Sequence, residues 1–229
     1  MSGDRGGPPE QAPPTGRSGR EAEPIVTYWL LGAIVLAFLL SQAAPDLADR
    51  GVLFGPAVAA GEWGRIVTSG FLHAGLLHIG FNGYLLYLLG RMLEPGIGST
   101  RFTAIYLGGL FGGSAGALLL SWATPTLGAS GAVFGLMGGA MVGLRRRGID
   151  PWRSSIGTLV LLNLAFTFLV PGISIGGHVG GLVGGAATAA PLFAAERGEA
   201  RRVGAAAGYA VVAGLGAAAV LLGEWAPLA

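Results

Sequence analysis

Four side chains stand out as able to act together on a carbonyl. Ser130 lies in Gly128-Ala129-Ser130-Gly131. Glycines on both sides let the backbone turn tightly and leave the hydroxyl uncrowded. A helix beginning there would aim its unpaired first-turn N–H groups at the same space, useful where negative charge develops. His178 lies in Gly176-Gly177-His178-Val179-Gly180-Gly181-Leu182-Val183-Gly184-Gly185. Gly177, Gly181 and Gly185 recur every fourth residue, a smooth stripe that admits another helix closely. A neutral imidazole beside that stripe can serve as general base to a hydroxyl nucleophile. His78 and Asn82, four apart, share one helix face and offer two donors to an oxyanion. Blander readings stand beside these: Ser130 as a helix N-cap, and the histidines and Asn82 as hydrogen-bonding glue between helices. The serine pattern is weak alone, since Gly16-Arg17-Ser18-Gly19 repeats it in a polar stretch. His73, about 140° round the helix from His78, reads as a snorkelling or loop-anchoring residue. Asn163 reads as structural.

The elements that must hold these groups are membrane helices. Hydrophobic residues make up 52% of the 229, 43 more are glycine, and only 11% are charged, against about 25% in soluble domains. So few charges exclude a water-soluble enzyme. The basic residues are all arginine, in a net charge of +2. No basic stripe with interleaved aromatics suggests nucleic acid. The absence of cysteine excludes disulfides, thiolate metal sites and a cysteine nucleophile. Three scattered histidines do not suggest a metal site, and no cofactor is implied.

A crossing needs about 20 apolar residues. Seven segments qualify: Ile25–Ala44, about Leu72–Gly90, Arg101–Ser121, about Ser130–Leu144, Ser154–Val170, Gly176 to about Ala195, and Val203–Leu222. Residues 1–24 read as a disordered cytoplasmic tail, 25–195 as a six-helix core and 203–222 as a seventh helix. The connection from Pro45 to Phe71 reads as a loop in the headgroup region. With the N-terminus inside, Arg5, Arg17, Arg20, Arg91, Arg101, Arg145, Arg146, Arg147, Arg153, Arg197, Arg201 and Arg202 all fall inside, and Arg50 and Arg65 outside. That bias predicts an N-in, C-out topology. At 1.5 Å per residue, Ser130, His78 and His178 stand about 22, 20 and 28 Å above the arginine-marked ends of their helices. All three fall in the outer half of the bilayer, as one site would require.

Taken together, these motifs resemble those of the rhomboid intramembrane serine proteases. The likeness runs from Glu62-Trp63-Gly64-Arg65 through Thr68, Phe71, His73, His78 and Asn82, to Gly128-Ala129-Ser130-Gly131 with Phe134, and to His178, Gly181 and Gly185. It covers roughly residues 50–190. It implies an all-α polytopic fold, a rhomboid-like six-helix core with a seventh C-terminal helix. It also implies a Ser130–His178 dyad, an oxyanion site of His78, Asn82 and the Ser130 N–H, and Phe134 stacked on His178. Many relatives carry Tyr where Phe134 stands, Ala where Gly177 stands, and adjacent Trp and Arg where Gly64 intervenes. The implied substrates are single-span membrane proteins whose helices Gly, Ala or Pro weaken near the outer end.

Two other classes of protein share some of these features. An inactive relative acting as a membrane-protein binding or quality-control factor would be marked by loss of Ser130 or His178, and both are present. A small transporter would show inverted repeats and midplane charges; no repeat is visible, and the one acidic residue near a span is Glu94, at a cytoplasmic end. An Arg-only, Ala- and Gly-heavy composition points to a GC-rich bacterial genome and a bacterial plasma membrane.

Overall fold

The computed structural model describes residues 23–194 and 198–225; residues 1–22 of the expected tail lie outside them. The long helices are α1 (Ile25–Ala43), α5 (Leu76–Ile97), α6 (Ser99–Ser121), α7 (Ser130–Arg146), α8 (Ser155–Leu169), α9 (Ile175–Ala194) and α10 (Gly198–Glu224). Each occupies one of the seven expected segments. The Pro45–Phe71 connection folds into α2 (Pro45–Gly51), α3 (Gly55–Ala59), α4 (Arg65–Thr68) and a 3₁₀ turn at Ser69–Phe71. By length and apolarity alone, α1, α6 and the Ala200–Glu224 stretch of α10 suffice to cross a membrane, and α5 with the turn before it, bent by 93°, makes a fourth. The others fall short for two reasons. Glycine contributes little apolarity to α7 and α9, and α7 and α8 have only 17 and 15 residues.

Helix α6 sits at the centre, 61% of its apolar window buried against 22% for α1 and 11% for α10. Its interior position rests on glycine. Gly108, Gly112 and Gly116 lie against Gly184, Gly180 and Gly176 of α9, while Gly109 and Gly113 lie against Gly135 and Gly131 of α7. On the third side, Gly181 and Gly185 of α9 meet the carbonyls of Gly131 and Gly135. Of the expected stripe, Gly181 and Gly185 turn to α7, while a Cβ on Gly177 would meet Ser174 and, on α6, Gly113; Gly176, Gly180 and Gly184 form a second stripe turned to α6. Two glycine faces about 100° apart on one helix let it touch two neighbours backbone to backbone. Outside this centre, α1 and α8 expose Trp29, Leu36, Leu39, Leu162, Phe168 and Leu169, the surface lipid requires.

The first connection is bound to the core at named points. Arg65 donates through Nη1 to the carbonyls of Asp49 (2.7 Å) and Val52 (2.9 Å) and pairs with Glu62. Ser114 of α6 donates to Ile66 O at 3.0 Å. Leu53 and Thr126 exchange both backbone bonds at 2.9 Å, and Gly55 N donates to Trp122 O. Trp122 in turn donates from Nε1 to Gly223 O of α10 at 2.9 Å. The far end of α10 thereby reaches the loop that leads to Ser130.

At the opposite end, Glu94 of α5 is fully buried and accepts four bonds. Its Oε1 takes Val26 N (2.8 Å) and Ser99 Oγ (2.7 Å); its Oε2 takes Thr27 N (2.8 Å) and Thr27 Oγ1 (2.7 Å). Helix α1 begins after Pro24, with no side-chain cap of its own, so Glu94 satisfies first-turn donors that would otherwise be orphaned. Gly90, one turn earlier, brings α5 onto Thr27 with no room for a Cβ. Glu94→Gln would turn an amide NH₂ toward one of these donors. The expected result is a loss of about 1.5–3 kcal/mol, read as lowered thermal stability in detergent; unchanged stability would refute the role.

Candidate active site

Ser130, His178, His78, Asn82, Asn163 and Phe166 are among the residues that border a cavity of about 550 Å³. It lies where α5, α7 and α9 begin and α8 ends, away from the arginine-rich helix ends. Ser130 opens α7 directly after the Ala129 N-cap. Gly128 holds φ at +127°, a conformation in which an L side chain is strained. Its N–H donates to Ser69 O at 2.9 Å. Its missing side chain leaves space for His78, whose Nε2 would lie 2.8 Å from a Cβ there, with Ser130 Oγ at 3.7 Å. Serine and His78 therefore border the same glycine.

His78 Nδ1 accepts from Ala74 N at 3.3 Å. A backbone amide only donates, so the ring proton of the neutral imidazole belongs on Nε2, the atom turned to Gly128. Asn82, buried, donates one Nδ2 hydrogen to His78 O at 3.0 Å, which leaves the other hydrogen for the cavity. His178 begins the second turn of α9, its N–H donating to Ser174 O and its Nδ1 2.6 Å from Thr167 Oγ1. The Phe134 ring stacks on it, centroids 4.3 Å apart and planes 23° off parallel. No hydrogen bond joins Ser130 Oγ to His178 among the described residues; both side chains border the same cavity.

His73 differs from the snorkelling expectation. It is 4% exposed, with Nδ1 donating to Phe71 O at 3.2 Å and Nε2 accepting Ala129 N–H at 3.5 Å. Its ring meets His78 edge-on at 5.0 Å. The residue turns inward because the chain from Leu72 to Gly75 is not yet helical, so the helical angle to His78 does not apply. Its place is loop anchoring. Asn163 is buried and donates to Leu159 O, as a structural residue would, and also borders the cavity.

The residue sequence reasoning missed is Thr167. It shares a helix face with Asn163, four residues earlier, and that polar pair in an otherwise apolar segment was the available signal. Phe81 of α5 and Phe166 of α8 also went unremarked; their rings meet 6.2 Å apart across the cavity's flank.

Fold and site together define a multi-pass helical membrane protein with a chamber among its helices, mostly apolar and bearing a serine and two histidines. A model of the Rhomboid domain family matches residues 60–195. The chain is 35% identical over 184 residues to rhomboid protease GluP of Bacillus subtilis, a match covering 76% of this chain and 36% of that protein. It is 34% identical over 173 residues to YdcA of the same species, covering 71% and 85%. Rhomboid-type serine protease 2 of Emericella nidulans is 32% identical over 136 residues, covering 56% and 27%. The chain thus spans about a third of the length of GluP. It belongs to the rhomboid family, whose relatives include named serine proteases. The family match includes Ser130, His178, His78 and Asn82; the cavity-lining Leu53 precedes it, and α10 lies beyond it.

Gly128→Ala forces a Cβ onto the His78 ring at a strained φ. It is expected to lower stability by about 1–3 kcal/mol, measured by denaturation in detergent. Gly80→Ala, where a Cβ meets no atom within 4 Å, is the tolerated comparison. Equal behaviour of the two variants would show that the serine turn does not need its glycine.

Proposed function

We propose that this protein is an intramembrane serine endopeptidase that hydrolyses peptide bonds in or near the transmembrane segments of other membrane proteins. The observation that carries this reading is the convergence of Ser130, His178, His78 and Asn82, from three helices, on one cavity. In the proposed reaction Ser130 Oγ forms a bond to the scissile carbonyl carbon and passes its proton to His178 Nε2. The carbonyl π electrons move onto oxygen, which receives His78 Nε2–H, the second Asn82 Nδ2–H and the Ser130 N–H. Collapse of that intermediate breaks the C–N bond, and His178 returns the proton to the leaving nitrogen. Water then attacks the acyl-serine with His178 again as base, releasing the acid and restoring the hydroxyl. Phe134 keeps the imidazole plane fixed, with no hydroxyl of its own to contribute.

A substrate helix hides its carbonyls in its own hydrogen bonds, so it must unwind before reaching Ser130. Single-span proteins with Gly, Ala or Pro near the outer end of the span suit that requirement. The flank between α5 and α8, where Phe81 meets Phe166, is the proposed entry. The arginine bias supports seven crossings of a bacterial plasma membrane, N-terminus cytoplasmic, with the cavity opening outward. The proposed organisation is a six-helix catalytic core over 25–195 and the added helix at 203–222.

Labelling of the purified protein with a fluorophosphonate probe tests the dyad. Wild type should label, and Ser130→Ala and His178→Ala should not. Failure of all three to label in lipid vesicles as well as detergent would favour a binding factor without catalysis. Asn82→Ala should lower turnover by up to about 10²–10³-fold through the loss of one oxyanion donor; an unchanged rate would make Asn82 packing glue.

A further inference from the structure

We propose that Thr167 is the positioning residue for His178, holding the imidazole in the tautomer that leaves Nε2 free to take the Ser130 proton; this rests on the protease reading above. Thr167 Oγ1 stands between two neighbours. It is 2.7 Å from Asn163 O, one helical turn back, and 2.6 Å from His178 Nδ1. A hydroxyl has one proton to give, and a carbonyl has none. The short contact to Asn163 O is a hydrogen bond only if Thr167 donates to it. Its remaining lone pair then faces His178 Nδ1. Two lone pairs at that separation repel, so Nδ1 carries the hydrogen and donates to Thr167. In a neutral imidazole this leaves the lone pair on Nε2.

The surroundings fix this arrangement. Thr167 is 2% exposed, so water cannot take its place, and the Phe134 ring covers one face of His178. Asn163 is itself tied to Leu159 O at 2.8 Å, so the carbonyl that receives the Thr167 proton belongs to an anchored turn of α8. His78, by contrast, has its Nδ1 filled by Ala74 N–H and presents a hydrogen at Nε2. The two imidazoles bordering the cavity are set in opposite tautomers, one to accept a proton and one to donate a hydrogen bond. A third group that orients the base is a recurring part of activated hydroxyl nucleophiles. Here the group is an uncharged hydroxyl, so a loss smaller than that seen with a carboxylate partner is expected.

The test uses the full chain in detergent with a fluorophosphonate as the probe. Thr167→Val keeps the shape and removes the acceptor; Thr167→Ser keeps the acceptor. The proposal expects the maximal labelling rate of Thr167→Val to fall about tenfold with half-saturating probe concentration within about twofold, and Thr167→Ser to stay near wild type. Nitrogen NMR of labelled histidine, with His178 assigned by its loss in His178→Ala, should show the proton on Nδ1 in wild type and on Nε2 in Thr167→Val. Wild-type labelling in Thr167→Val, equal impairment of Val and Ser variants, or a wild-type proton on Nε2 would each overturn the assignment. Absence of Ser130-dependent labelling in wild type would sink the protease reading instead, while the NMR tautomer would still decide the Thr167 contact.

Discussion

The backbone contact among α6, α7 and α9 is the constraint from which the site follows. A Cβ on Gly113 would lie 2.9 Å from Gly177 O and 3.1 Å from Gly131 Cα. Those two partners are the immediate neighbours of His178 and Ser130. The separation of the Ser130 and His178 backbones is therefore set by main-chain contact, where no rotamer can relax it. Such packing suits a bilayer, where apolar side chains gain little by leaving lipid and close approach supplies the dispersion contact. It also explains why small residues crowd the innermost helices while Leu and Trp face outward.

Around that rigid centre the serine turn is fastened by backbone groups from elsewhere in the chain. Gly128 N–H goes to Ser69, Ala129 N–H to His73, and Thr126 pairs with Leu53. Each fastening comes from the connection between α1 and α5, which Arg65 ties to its own carbonyls. A loop that must hold a hydroxyl beside a cavity cannot be satisfied by water on its buried side, so its amides need protein acceptors. This gives the short helices α2 to α4 a use beyond joining two spans. Through Trp122 and Gly223 the same fastening extends to α10.

Much of this was legible in the sequence, because membrane helices announce themselves by length and because polar residues in them are few. Gly181 and Gly185 were readable as a contact stripe from their spacing. The second stripe at Gly176, Gly180 and Gly184 was visible too, yet nothing in a one-dimensional pattern says that two faces of one helix meet two different partners. Glu94 looked like an isolated acid at a helix end; its four donors come from α1 and α6, and only tertiary packing brings them there. Of the two readings of His73, loop anchoring holds and snorkelling does not, because periodicity was extended through Leu72–Gly75, where Gly75, with φ at 172° and ψ at 176°, keeps the chain extended before α5.

The hydrogen bonds of the interior also separate hydroxyls held by the helices from those that face the cavity. A polar group in a low-dielectric interior is held by whatever partner it has, at high energetic stake. Ser114, Thr27, Thr167 and Thr188 all spend their hydroxyl protons on a carbonyl or carboxylate. Among the described residues the buried side-chain atom left without any partner is the Tyr106 hydroxyl, enclosed by the core and no part of the cavity wall. Ser130 is partly open to the cavity that His78 and His178 also border. Its proton is not committed to a neighbouring carbonyl, so transfer to a base breaks no structural bond. The helices thus satisfy many interior hydroxyls locally, whereas Ser130 Oγ, like those of Ser69, Ser121 and Thr124 on the same cavity wall, has no protein acceptor among the described residues.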